Sequence, residues 1–290
     1  MSNDIMLIEL FYTICKYYNT TEVASLQRLS NNKPKFTDEE CIAIYVFGII
    51  NHLTDVMQIY DFTKQYYSEW FPLLPKYHAF NYRVCMLSEI ITEIAGHAIN
   101  NGGIRLYQTS YVMDSMPIVV ASQKRSGRAK AASGFCDKGY CSSKSMYYHG
   151  VKLHVLAQKR QGTIPFPYTV ELTPASESDL TAAKQYLGVA RNMSIYADKI
   201  YRDGNWQAKL TEQNVSVITP AKLKKGQIKL SYADKLMNES ISRARQCIES
   251  FFSWLQEKTN IHRASKVRSV AGLVSFVFAR LFAALFMFNF

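Results

Sequence analysis

Residues 111–120 read YVMDSMPIVV, and this apolar run marks a change in the organisation of the chain. Upstream of it, apolar residues recur at helical spacing; from it onward, short segments rich in β-branched residues predict strands. Asp114 interrupts the run, although aspartate is depleted from strands and is costly to bury. We therefore expect a sheet to begin here, with a carboxylate that lies at a solvated strand end or is paired with a cation.

The first hundred residues are predicted to be helical. Thr37, with Glu40 three positions later, forms a capping box for the apolar run at 41–50, and a further helix is predicted at about residues 79–99. Short helices joined by short turns can form a helix-turn-helix reader of DNA. We therefore expect a helical N-terminal domain over residues 1–103 that binds DNA ends, mediates dimerisation, or does both.

After the junction NNGG at 100–103, the predicted elements follow the order β-β-β-α-β-α-β-α. This order implies a mixed sheet, with three early antiparallel strands and later parallel strands joined by crossover helices. In the strand predicted at 147–158 apolar and polar residues alternate, so we expect that strand to be half-buried. The other predicted strands are 111–120, 166–172, SIYAD at 194–198 and VSVIT at 215–219, and the predicted helices are 178–187, 204–212 and 237–258.

Residues 270–290, VAGLVSFVFARLFAALFMFNF, are apolar enough to suggest a membrane span. Arg280 lies in the middle of this segment, where a lipid-facing charge would cost several kcal/mol. We therefore expect a buried C-terminal helix and no membrane partner. Since the N-terminus has neither a basic region nor a small-residue cleavage pattern, we expect no signal peptide and a cytoplasmic location.

The net charge of +11 is distributed unevenly. Residues 1–100 contain 7 Lys and Arg against 11 Asp and Glu, whereas residues 101–290 contain 27 against 12. A basic surface of this size indicates a polyanionic partner, and the surface that binds it belongs mainly to the second part of the chain.

The cysteines offer an alternative kind of site. Six of them are spread along a chain with a cytoplasmic composition, which favours reduced thiols over a disulfide framework. Cys136 and Cys141, followed by His149 and His154, could be drawn as a zinc site, although the spacing matches no common zinc finger. A zinc-dependent binding module therefore stays open as one alternative.

A second aspartate, Asp198, follows the apolar residues of SIYAD. If its strand neighbours that of Asp114, the two carboxylates repel, and a divalent cation would keep both ionised. Hard oxygen ligands of this kind suit magnesium or manganese. Glu249 is the candidate third ligand, on a helix where Arg245 precedes it by one turn; an ordinary Arg-Glu pair on a solvated helix is the alternative.

The chain resembles the DDE transposases of bacterial insertion sequences, and among them the compact "nine-eighty-two" family. The resemblance rests on the order of several stretches, namely FPLLPKYHAFNYRV, YVMDSMPIVV, YYHGVKLHVLAQ with its G-x-K-x-H pattern, TPASESD, YADKIYRD and RARQCIESFFSWL. It implies a ribonuclease H-like α/β catalytic domain over residues 104–290, a mixed sheet flanked by helices. It also implies that Asp114, Asp198 and Glu249 are both the catalytic residues and the ligands of two Mg²⁺ or Mn²⁺ ions.

The resemblance is incomplete. Ile200 stands where relatives often have glycine, and in the tyrosine-arginine-glutamate-lysine signature Ser242 and Gln256 replace the tyrosine and the lysine. Lys258 is the candidate substitute for that lysine. The gap of 51 residues between Asp198 and Glu249 leaves no room for the large β-rich insertion of some relatives.

The remaining basic residues are candidates for holding the DNA backbone. Flexible basic loops suit phosphate contacts better than base reading, and a solubilising surface is the alternative. The candidates are Lys124, Arg125, Arg128, Lys130, Lys152, His154, Lys199, Lys224, Lys225, Arg245 and Lys258.

The expected function is metal-dependent cleavage of DNA at insertion-sequence ends, followed by strand transfer into target DNA. The same site would perform both steps, because both are in-line attacks on a phosphodiester. The partners implied are element ends, target DNA and a second copy of the chain, in the cytoplasm of a bacterial cell at the nucleoid. Two further alternatives stay open, a ribonuclease H-like nuclease that joins no strands and a non-catalytic DNA-binding repressor derived from a transposase.

Overall fold

The computed structural model describes residues 2–22, 34–103, 108–142, 144–223 and 226–288. Lys224 and Lys225, two of the candidate DNA contacts, lie outside these ranges. The N-terminal region contains helices α1 (Asn3–Tyr18), α2 (Asp38–Ile50), α3 (Val56–Tyr66), α4 (Tyr77–Met86) and α5 (Ser88–Asn101).

Local signals explain where these helices begin and end. The predicted capping box is confirmed, because the Thr37 hydroxyl accepts from the backbone N–H of Glu40 and the Glu40 carboxylate accepts from that of Thr37. The single helix predicted at 79–99 is wrong, since α4 and α5 are separated at Leu87. The sequence there contains neither proline nor glycine to mark the break.

A six-stranded mixed sheet follows the helices. Its strands are β1 (Ser110–Ser122), β2 (Asp137–Cys141), β3 (Met146–Gln158), β4 (Phe166–Pro174), β5 (Met193–Tyr196) and β6 (Val215–Ile218). β3 pairs antiparallel with β1 on one edge, and on its other edge it pairs with β2 and then with β4. β5 lies parallel to β1, and β6 lies parallel to β5.

Helices α6 (Asp179–Tyr186), α7 (Gly204–Thr211) and α8 (Tyr232–Thr259) complete this region. A buried cluster that includes Met113 of β1, Ile195 of β5 and Trp206 of α7 joins α6 and α7 to one face of the sheet. The predicted fold class, a mixed sheet with flanking helices after a helical N-terminal region, is confirmed.

Two details of the sheet differ from the prediction. The strand β2 was not predicted, so that four strands rather than three precede the crossover helices. The strand β3 is not half-buried, because His154 is only 1% exposed and lies on the face expected to be solvated. β2 forms by pairing with the neighbouring strand β3 across a short turn, whereas the buried His154 contacts Thr173 of β4.

The chain forms two compact units. The first contains residues 1–102, 130–134 and 255–290, and the second contains residues 103–129 and 135–254. The last helix, α9 (Val270–Phe288), was grouped with the catalytic domain from the sequence, but it packs against α5 and α2 of the helical region.

The prediction that the C-terminal helix is buried is confirmed. α9 is long and apolar enough to cross a membrane, yet most of it lies inside the protein. Arg280 is 1% exposed, and its guanidinium donates to the carbonyl oxygens of Thr259 at 3.0 Å and Thr54 at 2.9 Å. Its charge is therefore satisfied by carbonyl oxygens within the helical unit, which makes its burial tolerable.

Candidate active site

The two strand aspartates lie side by side. The parallel pairing of β1 with β5 aligns Tyr111 with Ile195 and Val112 with Tyr196. Asp114 and Asp198 each lie two residues beyond the last of these pairs, Asp114 within β1 and Asp198 after the end of β5. Side chains alternate along strands, so Asp114, next to Met113 of the buried cluster, points to the sheet face opposite α6 and α7. Asp198 follows the end of β5 and caps a short 3-10 helix at Lys199–Tyr201.

Arg245 of α8 joins the two carboxylates. Its Nη2 donates to Oδ2 of Asp114 at 3.1 Å, and its Nη1 lies 3.7 Å from Oδ1 of Asp198. The Arg245 side chain is 14% exposed, and its buried Nε has no hydrogen-bond partner among the residues that the structure describes. One cation therefore already interacts with both carboxylates.

Backbone N–H groups fix one oxygen of each carboxylate. Oδ1 of Asp114 accepts from the N–H of Ser115 at 2.8 Å, and Oδ1 of Asp198 accepts from the N–H of Lys199 at 2.7 Å. Asp198 is the more open of the two, with 41% of its side chain exposed against 25% for Asp114. The pair is thus held in orientation from the backbone and remains accessible from solvent.

The environment of Asp114 disfavours its charge. Burial raises the pKa of its carboxyl from 3.8 to about 6, against the opposing effects of the Ser115 N–H and the Arg245 guanidinium. The neighbouring carboxylates Asp179 and Asp198 raise it further. A carboxyl group with this pKa is a site where added positive charge is stabilising.

Asp179, at the start of α6, is a site residue that we did not predict. Its Oδ1 accepts from the hydroxyl of Ser115 at 3.0 Å and from Nζ of Lys152 at 3.1 Å. Lys152 also donates to the carbonyl oxygen of Glu177 at 2.8 Å. Ser115 follows Asp114 in β1, and neighbouring side chains of a strand point to opposite faces. Ser115 therefore connects Asp114 with Asp179, because its N–H donates to Asp114 and its hydroxyl donates to Asp179. The stretch TPASESD, which ends at Asp179, was the available signal.

His154 completes the network around Asp179. Its Nε2 lies 2.8 Å from the Thr173 hydroxyl, and its Nδ1 lies 4.0 Å from Oδ1 of Asp179. Burial lowers the pKa of the imidazole to about 4, although the Asp179 carboxylate opposes this shift. The ring is therefore neutral at physiological pH and lies beneath the surface.

Glu249 is not grouped with the two aspartates. It is exposed on α8, one helical turn after Arg245. Within the described ranges, no group of three or more His, Cys, Asp or Glu side chains is arranged to hold a metal ion. The residues that fit a hard cation are therefore Asp114 and Asp198, because their oxygens already interact with one positive group.

The predicted DNA contacts lie in several places. Lys124, Arg125 and Arg128 are exposed on a 3-10 helix at residues 123–128, and Lys130 is exposed just after it. Lys199 is exposed beside Asp198. Lys152 is half-buried and forms an ion pair with Asp179. Nζ of Lys258, in the last turn of α8, lies 3.4 Å from the Glu257 carboxylate.

The zinc alternative is not supported by the arrangement of its four residues. Cys136 and Cys141 are buried, and burial raises the pKa of the Cys136 thiol to about 11. Zinc binds thiolates, so this shift disfavours coordination. His154 is engaged by Thr173 instead.

Comparison with known proteins adds two observations. A family model described as "Transposase DDE domain" matches residues 108–286. A solved structure, a piggyBac transposase in a synaptic complex with hairpin DNA, is similar with a TM-score of 0.52 at 10% sequence identity; the match covers 97% of this chain and 72% of that chain. No curated protein matches the sequence. At that identity the structural likeness concerns the fold alone.

Proposed function

Since the chain belongs to the DDE transposase family, we propose that it cleaves DNA at the ends of a mobile element and joins those ends to target DNA in a reaction that requires divalent metal. The observation that carries the proposal is the arrangement of Asp114 in β1 and Asp198 just after the parallel strand β5, where both carboxylates interact with the Arg245 guanidinium. The insertion-sequence origin remains part of the proposal and rests on the resemblance described above.

In the proposed site Asp114 and Asp198 are metal ligands, and Glu249 is the third. Magnesium or manganese, most simply as two ions, would supply charge neutralisation and an activated water or DNA 3′-hydroxyl when bound. Supporting this role, the carboxylate oxygens converge on a cation and burial raises the pKa of Asp114. Glu249 is proposed on its position in the signature, one turn after Arg245.

The chain's own groups position the DNA. Arg245, whose two Nη atoms face the carboxylates of Asp114 and Asp198, is the residue best placed to bind a phosphate oxygen at the site. Lys199, exposed beside Asp198, would hold the adjoining phosphate. These roles need no covalent nucleophile, because positioning and charge stabilisation are sufficient for phosphoryl transfer.

The proposed partners are DNA and a second copy of the chain. DNA is supported by the family and by the excess of 15 positive charges after residue 100, from 27 basic and 12 acidic residues. Lys124, Arg125 and Arg128 are the exposed candidates for backbone contacts. The homodimer and the action at the bacterial nucleoid are proposals that rest on the resemblance.

The test is cleavage of labelled duplex DNA that carries the element's own terminal sequences. Asp114→Ala, Asp198→Ala and Glu249→Ala should each reduce cleavage by about a hundredfold or more, since even outer-shell partners of metal ligands contribute 10–100-fold. Asp203→Ala and Glu257→Ala are the matched controls, because they remove acids from the same region and from the same helix. Excess chelator should abolish cleavage by the wild type, and unchanged cleavage would overturn the proposal.

The alternatives give different results in the same system. With pre-cleaved ends and target DNA, a transposase yields joined product, whereas a nuclease without strand transfer yields none. A non-catalytic repressor predicts DNA binding that is indifferent both to the three acids and to metal, with no cleavage under any condition.

A further inference from the structure

The hairpin of β2 and β3 exposes two aromatic rings. Tyr140 and Tyr147 are direct partners in the antiparallel pairing, and they are 52% and 56% exposed. The other face of the hairpin is covered, because Cys141 and Tyr148 pack against Ala175 in a small buried cluster. The hairpin is therefore anchored on one face and presents a pair of tyrosines on the other.

The two rings form a compact platform. Their centroids are 4.9 Å apart with an interplanar angle of 54°, and Nζ of Lys138 lies 4.7 Å from the centroid of the Tyr147 ring. A cross-strand aromatic pair restricts the rotamers of both rings, so the two side chains lose little conformational entropy when a ligand binds. Exposed aromatic surface of this kind is typical of a binding surface.

The surface beside the platform is basic. A shallow cavity of about 530 Å³ is lined by Lys124, Lys138 and Lys144 together with Tyr147. In the described ranges, none of these three ammonium groups forms an ion pair. The carboxylate of Asp137, the nearest acid in β2, is turned back to the N–H of Lys138 at 2.7 Å. Among the described residues, the lining of the cavity is therefore basic and contains no acid.

We propose that this tyrosine–lysine surface binds a single-stranded segment of DNA, with an unpaired base stacked on Tyr140 and Tyr147 and the flanking phosphates held by the three lysines. Aromatic platforms interleaved with lysines suit single strands, because every base has a stacking face that a duplex conceals. The inference rests on the proposed function in one respect, that the ligand is DNA.

The charge pattern decides between this ligand and a second copy of the chain. A self-complementary contact across this surface would bring two sets of unpaired lysines together, and like charges in contact are unfavourable. A polyanion with flat apolar faces satisfies both the lysines and the rings. The surface would thus hold the strand that becomes unpaired when an element end is opened.

The test measures binding rather than chemistry. The probes are a fluorescein-labelled single-stranded oligonucleotide and the duplex of the same sequence, in excess chelator and on an Asp198→Asn background, so that no cleavage occurs. The double variant Tyr140→Ala/Tyr147→Ala should bind the single strand about tenfold or more weakly, since stacking contributes about 1–3 kcal/mol per base. Its affinity for the duplex should change less than about twofold. A 2-aminopurine base in the single strand should lose its quenching in the same variant.

Two controls separate the rings from other effects. Tyr140→Phe/Tyr147→Phe keeps the stacking faces and should bind the single strand as the wild type does. Tyr12→Ala removes a more exposed ring from α1 and should leave single-strand binding unchanged. Lys138→Gln should reduce the salt dependence of single-strand binding by about 0.7 in the log–log slope.

Unchanged single-strand affinity in the folded double alanine variant would overturn the inference. A change in the self-association of that variant, with unchanged affinity for DNA, would also overturn the inference. It would identify the surface as a contact between copies of the chain. These binding measurements require no metal. If the wild-type protein failed to cleave DNA but showed these affinities, the proposed function would be disproved and the single-strand binding site would still stand.

Discussion

Nη2 of Arg245 lies 3.1 Å from Oδ2 of Asp114, although 131 positions separate the two residues in the chain. The contact joins α8 to the central strand of the sheet at the level of Asp198. A guanidinium at this point compensates two carboxylates that would otherwise repel each other. It therefore competes for the position that a divalent cation would take.

Removing the guanidinium should strengthen metal binding in the absence of DNA. In Arg245→Ala the two carboxylates lose their competing cation, so we expect Mn²⁺ to bind roughly tenfold more tightly, equivalent to about 1.4 kcal/mol. Calorimetric titration with Mn²⁺ measures this directly. Arg243→Ala, an exposed arginine on the same helix, is the control. Equal affinities in both variants would show that Arg245 does not occupy the metal position.

The raised pKa of Asp114 predicts a pH-dependent effect on stability. The folded protein holds this proton up to about pH 6 and the unfolded chain only to about 3.8, so the group's contribution to stability falls as the pH rises through that window. Because a quarter of the side chain is exposed, we expect a cost of only about 1 kcal/mol at neutral pH. Urea unfolding of metal-free Asp114→Asn should show a gain of that size at pH 7.5 that shrinks toward pH 4. A gain that grew in acid would contradict the assignment.

The titration of His154 has the opposite effect on the stability of the protein over a similar pH range. Its pKa is about 4 in the folded protein and near 6.5 in the unfolded chain, so its contribution is complete above pH 6.5 and is lost as the pH falls toward 4. His154→Gln should therefore remove part of the acid sensitivity, on the order of 2 kcal/mol between these limits. Urea midpoints at the two pH values measure it. The exposed His78→Gln should retain the wild-type acid sensitivity.

Asp179 is predicted to be a positioning residue for the reaction. Asp179→Asn keeps an acceptor for Ser115 but removes the negative partner of Lys152. We expect the single-turnover rate of DNA cleavage to fall about tenfold, while the dissociation constant for duplex DNA changes less than about twofold. Asp203→Asn is the control. A variant with the wild-type rate would restrict Asp179 to a structural role.

The parts of the fold that the sequence predicts are those with a local cause. The capping box of α2 involves Thr37 and Glu40, which are three residues apart. The aspartates Asp114 and Asp198 stand out because each interrupts or ends an apolar run. Local pattern and residue chemistry are sufficient for such features.

The parts that the sequence misses depend on partners outside their own segment. The strand DKGYC at Asp137–Cys141 is five residues long with a central glycine, and it is recognisable only as the partner of β3. His154 sits at a polar position of its strand and is buried by Thr173 and its surroundings. Asp179 has the sequence position of an ordinary acid in the first turn of a helix, and only the fold brings it to Ser115 and Lys152.

The most direct test of the central claim, that Asp114 and Asp198 bind the catalytic metal, is an Asp198→Cys variant assayed for DNA-end cleavage with Mg²⁺ and with Mn²⁺. Thiolate is a poor ligand for magnesium and a better one for the softer manganese. We predict cleavage that is lost in Mg²⁺ and restored in Mn²⁺, with Asp203→Cys active in both. Full cleavage by Asp198→Cys in Mg²⁺, or a loss that is identical with both metals, would contradict the assignment.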